Sequence, residues 1–548
     1  MRWQIITSLV AAATSCTAQS RRSAAHDGSS GYRQRDPRAM PPVGVSHDHW
    51  TRDGSIGQKF ADEKTAKFAI NGSALPDVDF DIGEAYAGQL SISDDPDGEN
   101  KFYFWFQPSP NPDAKKEIVI WLNGGPGCSS LEGLLQENGP FLWQYGTFKP
   151  VANPWGWHHL TNMLWVEQPI GTGFSTGKVT ATSEEDVAKQ FMGFFKNFVE
   201  TFSMQGYSVY ITGESYAGMY CPYIASAMLD TNDKTYYDIK GMIIYDPSII
   251  DGRLQGDITS VPFVEYHRSL FPFNDTYWAE LHEMDEKCGF AAYREKYLTY
   301  PPAEHIPSEL PGSGVGCDGL LFEIDDAISL LNPCWDIYHV ATTCPLLWDN
   351  LGFPGSFDYL PKGASIYFNR TDVKKAINAP ENVTWAECGG SVFIDGDSSA
   401  PSANTVLGGV IDRTKNVIIG HGELDMFLIA NGTLLGIQNM TFGGKLGFQR
   451  RPTEPFYVPY HHSHEDSALA GAGVFGTAHT ERGLTYVGVN LAGHMIPQYA
   501  PSAAYRHLEV LLGRIDSLSS TDPFTTDNKV PQSSQPLGNG TAPQGWAN

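Results

Sequence analysis

Apolar positions along the chain alternate between short strand-like runs and longer stretches of helical spacing. Residues 207–212 carry aromatic and β-branched side chains with a period of two, residues 101–107 are strand-like, and residues 117–122, 162–167 and 239–245 are near-continuous apolar runs. Each predicts a strand with one or both faces buried. Residues 184–202 place apolar side chains at helical spacing and predict an amphipathic helix. The strand and helix rhythm predicts a mostly parallel sheet flanked by helices. It pauses between 252 and 395, where helical patches such as 275–287 alternate with Pro/Gly-rich turns, and it returns at 416–420 and 484–489 before a closing helix near 502–515. The expected organisation is a core in two parts, 51–251 and 396–516, with an insertion at 252–395 that caps the sheet's active edge.

Both ends differ in texture. Residues 1–18 hold Arg2, an apolar run and Cys16-Thr17-Ala18, the layout of a secretory signal. Residues 19–50 are polar and Arg-rich, with a dibasic Arg21-Arg22, and are expected to be disordered or trimmed. The Ser/Thr/Pro/Gly/Asn-rich tail 517–548 is expected to be disordered. The signal's apolar run is too short to span a bilayer, so no membrane anchor is expected. Seven N-x-S/T sequons, at Asn71, Asn274, Asn369, Asn382, Asn431, Asn439 and Asn539, predict a glycoprotein of the secretory pathway, extracellular or vacuolar/lysosomal. Beyond the signal seven cysteines remain, an odd number, so at least one thiol is free or pairs with another chain. The formal charge of −25 argues against nucleic acid as a partner and suits work in acid.

The chemistry is concentrated in a few turns. The run 207–212 leads directly into Gly213-Glu214-Ser215-Tyr216-Ala217-Gly218. A strand, a sharp turn with serine at its apex and small residues opening a helix make a nucleophile elbow, although Ala217 stands where the general motif has glycine. A base and an acid are required, and in this fold they follow late strands in the order acid, then histidine. Gly420-His421-Gly422-Glu423-Leu424-Asp425 follows one late strand and Gly493-His494-Met495 another. His494 is the expected base and His421 a neighbour of the acid. Spacing leaves the acid open between Asp425 and Glu423. The Gly124-Gly125-Pro126-Gly127 turn supplies backbone N–H groups for an oxyanion, together with the Tyr216 amide. His461, His462 and His464 read as a solvated loop. No C-x-x-C pair or H-E-x-x-H appears, and neither a metal nor a cofactor is expected.

Four stretches together resemble one family. Residues 121–130 (Trp-Leu-Asn-Gly-Gly-Pro-Gly-Cys-Ser-Ser), 162–169 with Gly171, Gly173, Phe174 and Ser175, the elbow 213–218, and Gly493-His494-Met495 with Pro497 resemble the serine carboxypeptidases in composition and order. The likeness runs from about 80 to 515. It implies an α/β-hydrolase that removes C-terminal residues from peptides and proteins at acidic pH, as a monomer or homodimer. It favours Asp425 over Glu423 as the acid and places the oxyanion donors at Gly125 and Tyr216. It assigns the substrate's terminal carboxylate to Trp121, Asn123, Glu137 and Glu214. It implies a Cys128–Cys388 bridge and two nested cap bridges, Cys288–Cys344 and Cys317–Cys334, leaving Cys221 free. The segment after Asp425 departs from the family by lacking its Cys-Asn pair. An acyltransferase with the same triad and an inactive secreted binding protein are the alternatives. The paired carboxyls Glu137 and Glu214 argue against a lipase.

Overall fold

The computed structural model describes residues 58–527, except 113, 115, 313–315, 346, 353–364 and 462–470. The expected signal, the segment 19–50, His462, His464, Asn539 and the end of the tail lie outside the described residues. Eleven strands form one sheet. In chain order they are β1 Ala69–Ile70, β2 Ala85–Ser91, β3 Lys101–Gln107, β4 Glu117–Leu122, β5 Asn162–Glu167, β6 Ser208–Glu214, β7 Asp238–Tyr245, β8 Val417–Gly422, β9 Glu454–Val458, β10 Gly473–Glu481 and β11 Leu484–Val489. Their spatial order is β1-β2-β3-β5-β4-β6-β7-β8-β11-β10-β9. The central run from β5 to β11 is parallel, and both margins are antiparallel.

The strand pattern divides two cores between the faces of the sheet. Phe102, Phe104, Phe106, Ile118 and Ile120 point to one face, and Tyr103, Trp105, Val119 and Trp121 to the other. On the first face lies α1, Glu184–Thr201, whose Val187, Phe191, Phe194, Phe195 and Phe198 form a buried stripe. Phe198 meets Phe104 edge to face at 5.5 Å. Glu184, Glu185 and Asp186 occupy its first turn, where carboxylates suit the helix dipole. On the same face α2, Ala217–Thr231, leaves the elbow. Between β7 and β8 the chain passes through α3, Asp257–Tyr266, α4, Asp275–Lys287, α5, Phe290–Tyr297, and α6, Leu320–Ser329. Asn274 caps α4 by accepting from the Tyr277 N–H at 2.9 Å. The closing helix α7, Pro501–Leu511, buries Ala503, Ala504 and Leu508 on the second face. All of these elements belong to a unit that begins at Phe60.

Two expectations are corrected. The cap bridges are sequential rather than nested: Cys288 joins Cys317 and Cys334 joins Cys344. Local geometry decides the pairing. The 332–344 loop folds back on itself, with the Asn332 side-chain amide donating to the Thr342 carbonyl at 3.2 Å, and this leaves the Cα atoms of Cys334 and Cys344 5.1 Å apart. Cys128–Cys388 is formed, and Cys221 is free and buried. The tail is also ordered further than its composition suggests. Leu518 and Phe524 are buried, the Thr525 N–H donates to Glu509 at 2.6 Å, and Arg506 donates to the carbonyl of Asp522 at 2.9 Å. Two apolar side chains anchor a segment whose polar composition reads as disorder.

Candidate active site

Ser215 stands at the end of β6 with φ of +60°, a conformation that costs free energy for any residue with a Cβ. Its neighbours hold it there. The Ser215 N–H donates to the Tyr245 carbonyl at 2.9 Å, and the Ser215 carbonyl accepts from Gly218 and Ser248, each at 2.9 Å. The turn tolerates Ala217 because the tight approach falls one residue later: a Cβ on Gly218 would lie 2.7 Å from the Ser248 carbonyl oxygen. Opposite the serine lies the glycine turn after β4. A Cβ on Gly124 would lie 2.7 Å from the Ser215 Cβ and would collide with the Tyr216 amide nitrogen, so only glycine lets this loop close over the elbow.

Asp425 and His494 come together from loops after β8 and β11. His494 Nδ1 lies 2.7 Å from Asp425 Oδ2, and both side chains are buried. Asp425 Oδ1 accepts the N–H groups of Phe427 and Leu428 at 2.8 and 3.2 Å. With Nδ1 engaged, Nε2 is the ring nitrogen left for proton transfer. The His494 N–H donates to the Tyr338 carbonyl at 2.8 Å, and the rings of Tyr338 and Phe427 lie 5.0 and 6.1 Å from the imidazole. Burial works against imidazolium, but the charge and hydrogen bond of Asp425, with Asp246 and Asp336 behind it, carry the His494 pKa above its ordinary value. Glu423, the other candidate acid, is partly buried at the foot of the same loop. Burial raises its pKa, and its backbone carbonyl lies 2.9 Å from His267 Nε2.

A second cluster surrounds Asn123. Trp121 Nε1–H donates to Asn123 Oδ1 at 2.8 Å, which turns the Asn123 amide nitrogen toward carboxyl groups. That nitrogen donates to Glu214 at 2.9 Å, to Glu137 at 3.3 Å, and to Glu132. All three carboxyls are buried, with oxygens within 4.8 Å of one another. Burial, then the charge of Glu214, pushes Glu137 well above the carboxylate range. Burial, then the charge of Glu132, does the same to Glu214. Glu132 is raised by burial and by Glu137 and Asp349. Carboxyl groups this close and this deeply buried do not all ionise together, so protons are shared within the cluster.

A profile of the serine carboxypeptidases matches residues 76–514 of the chain. The chain belongs to the serine carboxypeptidase family. It is 57% identical over 468 residues to a probable serine carboxypeptidase of Arthroderma benhamiae, covering 83% of this chain and 88% of that one. It is 46% identical over 480 residues to serine-type carboxypeptidase F of Aspergillus niger, covering 84% and 89%. Its fold is shared with the crystal structure of Kex1(delta)p, a prohormone-processing carboxypeptidase of Saccharomyces cerevisiae. That match has a TM-score of 0.64 at 24% identity and covers 83% of this chain and 98% of that one. This carboxypeptidase therefore has an α/β-hydrolase core with a large mixed sheet.

Two buried carboxyls near the candidate site were not read from the sequence. Glu132 lies five positions before Glu137, which in an α-helix would set the two about 140° apart around the axis. Here the backbone makes a wide turn, with the Asn138 N–H donating to Gly133 five residues back at 2.9 Å. Both side chains therefore reach Asn123. Glu167, at the end of β5, accepts from Ser129 Oγ, from the Phe174 N–H, and from Trp385 Nε1–H at 3.0 Å. It thus joins the segment after the glycine turn to residue 385 near the end of the insertion. The Cys128–Cys388 bridge and the Ser129 N–H to Glu387 carbonyl bond, 2.7 Å, secure the same junction. No helix among the described residues is long and apolar enough to cross a membrane.

Proposed function

We propose that the chain removes single residues from the C-termini of peptides and proteins at acidic pH, through an acyl-enzyme on Ser215. Ser215 Oγ attacks the last peptide carbonyl as His494 Nε2 takes its proton. Asp425 holds the Nδ1–H tautomer and stabilises the imidazolium. The N–H groups of Gly125 and Tyr216 receive the oxyanion. His494 returns the proton to the departing amino group, and water then cleaves the ester by the same steps in reverse. Trp121, Asn123, Glu137 and Glu214, with Glu132, bind the substrate's terminal carboxylate. The acyltransferase and inactive-binder readings lack a comparable observation in their favour.

The observation that carries this reading is the buried acid cluster next to the elbow. Glu214 is the residue immediately before Ser215, so the cluster lies within reach of a substrate whose last peptide bond is at the serine. Protonated carboxyls donate to an anionic chain end, and ionised ones repel it. Because the carboxyl pKa values are raised, the protonated form persists in acid and is lost as pH rises. KM for an N-blocked dipeptide should therefore climb with pH, while the corresponding amide, which carries no charge, should not follow it. Glu214→Gln should flatten the dipeptide profile. Equal KM–pH profiles for acid and amide in the wild type would reject the role of the cluster.

We also place the enzyme in the secretory pathway, extracellular or vacuolar, as a monomer or homodimer without nucleic-acid partners. The three disulfides and the sequons support the compartment. Asn71, Asn274 and Asn382 are exposed, whereas Asn369, Asn431 and Asn439 are partly buried. The Asn369 amide donates to the Trp385 carbonyl at 2.7 Å and its oxygen accepts from the Trp385 N–H at 2.7 Å.

A further inference from the structure

Asp246 follows β7 and is completely buried beneath the triad, with φ of +40°. Its Oδ1 accepts the Gly422 N–H at 2.8 Å and lies 2.9 Å from His421 Nδ1. Its Oδ2 meets no donor. One polar atom from each of Asp246, His421 and Asp425 lies within 4.8 Å of the others, which makes the two buried carboxyl groups close neighbours. Two carboxyl groups this close and shielded from water are not both ionised, so one of them holds a proton.

The surroundings assign that proton. Asp425 is used as an acceptor on both oxygens, by His494 on Oδ2 and by the amides of Phe427 and Leu428 on Oδ1. This is the pattern of an ionised carboxylate. His421 does not supply a compensating charge: burial lowers its pKa, and its Nε2 lies 3.1 Å from Thr433 Oγ1. Asp246 is left as the proton carrier, consistent with burial and the Asp425 charge raising its pKa.

We propose that Asp246 is a neutral acid that donates a hydrogen bond to Asp425, a positioning residue that sets the charge and orientation of the triad carboxylate and so the basicity of His494. The proposal rests on the triad reading given above. Asp246 feels Asp425 and His494, and it acts in turn on Glu137, Glu214, Tyr245 and Tyr486. His494 is faced by Asp425, Asp246 and Asp336, with Tyr338 against its ring. An ionised Asp246 would add a second negative charge beside the imidazole and hold it as imidazolium, which cannot act as a base. It would also repel the recognition carboxyls. Protonated, it does neither, and its donated bond draws charge away from the Asp425 oxygens that face His494. The proton stays on Asp246 throughout the cycle.

The test is kcat against pH for Asp246→Asn and Asp246→Ala, with an N-blocked dipeptide amide so that the recognition cluster does not contribute. Asparagine keeps a donor toward Asp425 and an acceptor for Gly422. The acid limb should stay within about 0.3 pH units of wild type and kcat within about threefold. Alanine removes the donor. It should lower kcat by about 10- to 100-fold, the scale of a charge-assisted hydrogen bond, and move the acid limb upward by about one pH unit as His494 becomes more basic. If the alanine variant does not fold, Asp246→Gly, which suits the positive φ and also lacks a side-chain donor, gives the same comparison. An unmoved acid limb in the alanine or glycine variant would show that Asp246 only supports the fold. An asparagine variant as damaged as the alanine one would show that a carboxylate charge, not a donor, is required. Either result overturns the proposal. Failure of a sulfonyl fluoride to label Ser215 in the wild type would instead reject the triad reading.

Discussion

Glu167→Gln isolates the pH dependence of stability built into the junction behind the glycine turn. Glu167 is fully buried. Burial pushes its pKa up to about 7 from the ordinary 4.5, against the lowering effect of its bonds to Ser129, Phe174 and Trp385. No other carboxylate contributes to that shift, so the group titrates on its own. Between the two values the folded chain keeps a proton that the unfolded chain has lost. Stability therefore falls as pH rises through the window and levels off above about 7. Each pH unit is worth about 1.4 kcal/mol, so the whole window is worth about 3 kcal/mol, of which about 2 kcal/mol falls between pH 5 and 7.5. Glutamine mimics the protonated acid: its oxygen accepts from Phe174 and its nitrogen donates to Ser129 Oγ, so the variant has no such slope. A chain of this size unfolds with an entropy of about 1 kcal/mol/K, so the wild type should lose about 2 °C more in Tm than the variant between pH 5 and 7.5. Calorimetry extrapolated to infinite scan rate measures this without interference from aggregation. If the two proteins show the same change in Tm, Glu167 does not titrate in this window and the account of the junction is wrong.

The other predictions are more direct. Ser215→Ala should reduce kcat by about a millionfold with folding intact, and a phenylmethanesulfonyl label should appear on Ser215 and no other serine; activity surviving in the variant refutes the assignment. Peptide mapping without reduction should recover Cys128–Cys388, Cys288–Cys317 and Cys334–Cys344, with an unmodified Cys221 thiol that reacts only after unfolding, because burial raises its pKa well above the thiol range. Glycan mapping should find Asn71, Asn274 and Asn382 occupied and Asn369 bare; a fully occupied Asn369 would mean that its paired bonds to Trp385 do not form before glycosylation.

What the sequence determined by itself is local. A strand of period two running into Gly-Glu-Ser-Tyr-Ala-Gly specifies an elbow because few residues can make so sharp a turn. The apolar runs 117–122, 162–167 and 239–245 specify buried strands because only a sheet covered on both faces hides them, and they emerge as β4, β5 and β7. The antiparallel margins β2, β9 and β10 were not legible, since β2 is made of small and polar residues around Gly88 and the half-buried β9 and β10 mix apolar with polar and turn residues. Family likeness, not spacing, favoured Asp425 over Glu423, and the structure places Asp425 against His494. The rest depends on contacts between distant segments. Glu132 reaches Asn123 only through the wide turn at 133–138. The cap bridges follow how the 332–344 loop folds back rather than cysteine order. Asp246, a lone aspartate after a strand, becomes a candidate positioning residue only because β7 and β8 lie side by side and bring it within 4.8 Å of Asp425. Burial adds what no pattern carries. It raises the pKa of Glu132, Glu137, Glu167, Glu214 and Asp246 above the ordinary carboxylate value, because only folding removes these side chains from water and sets some of them beside one another.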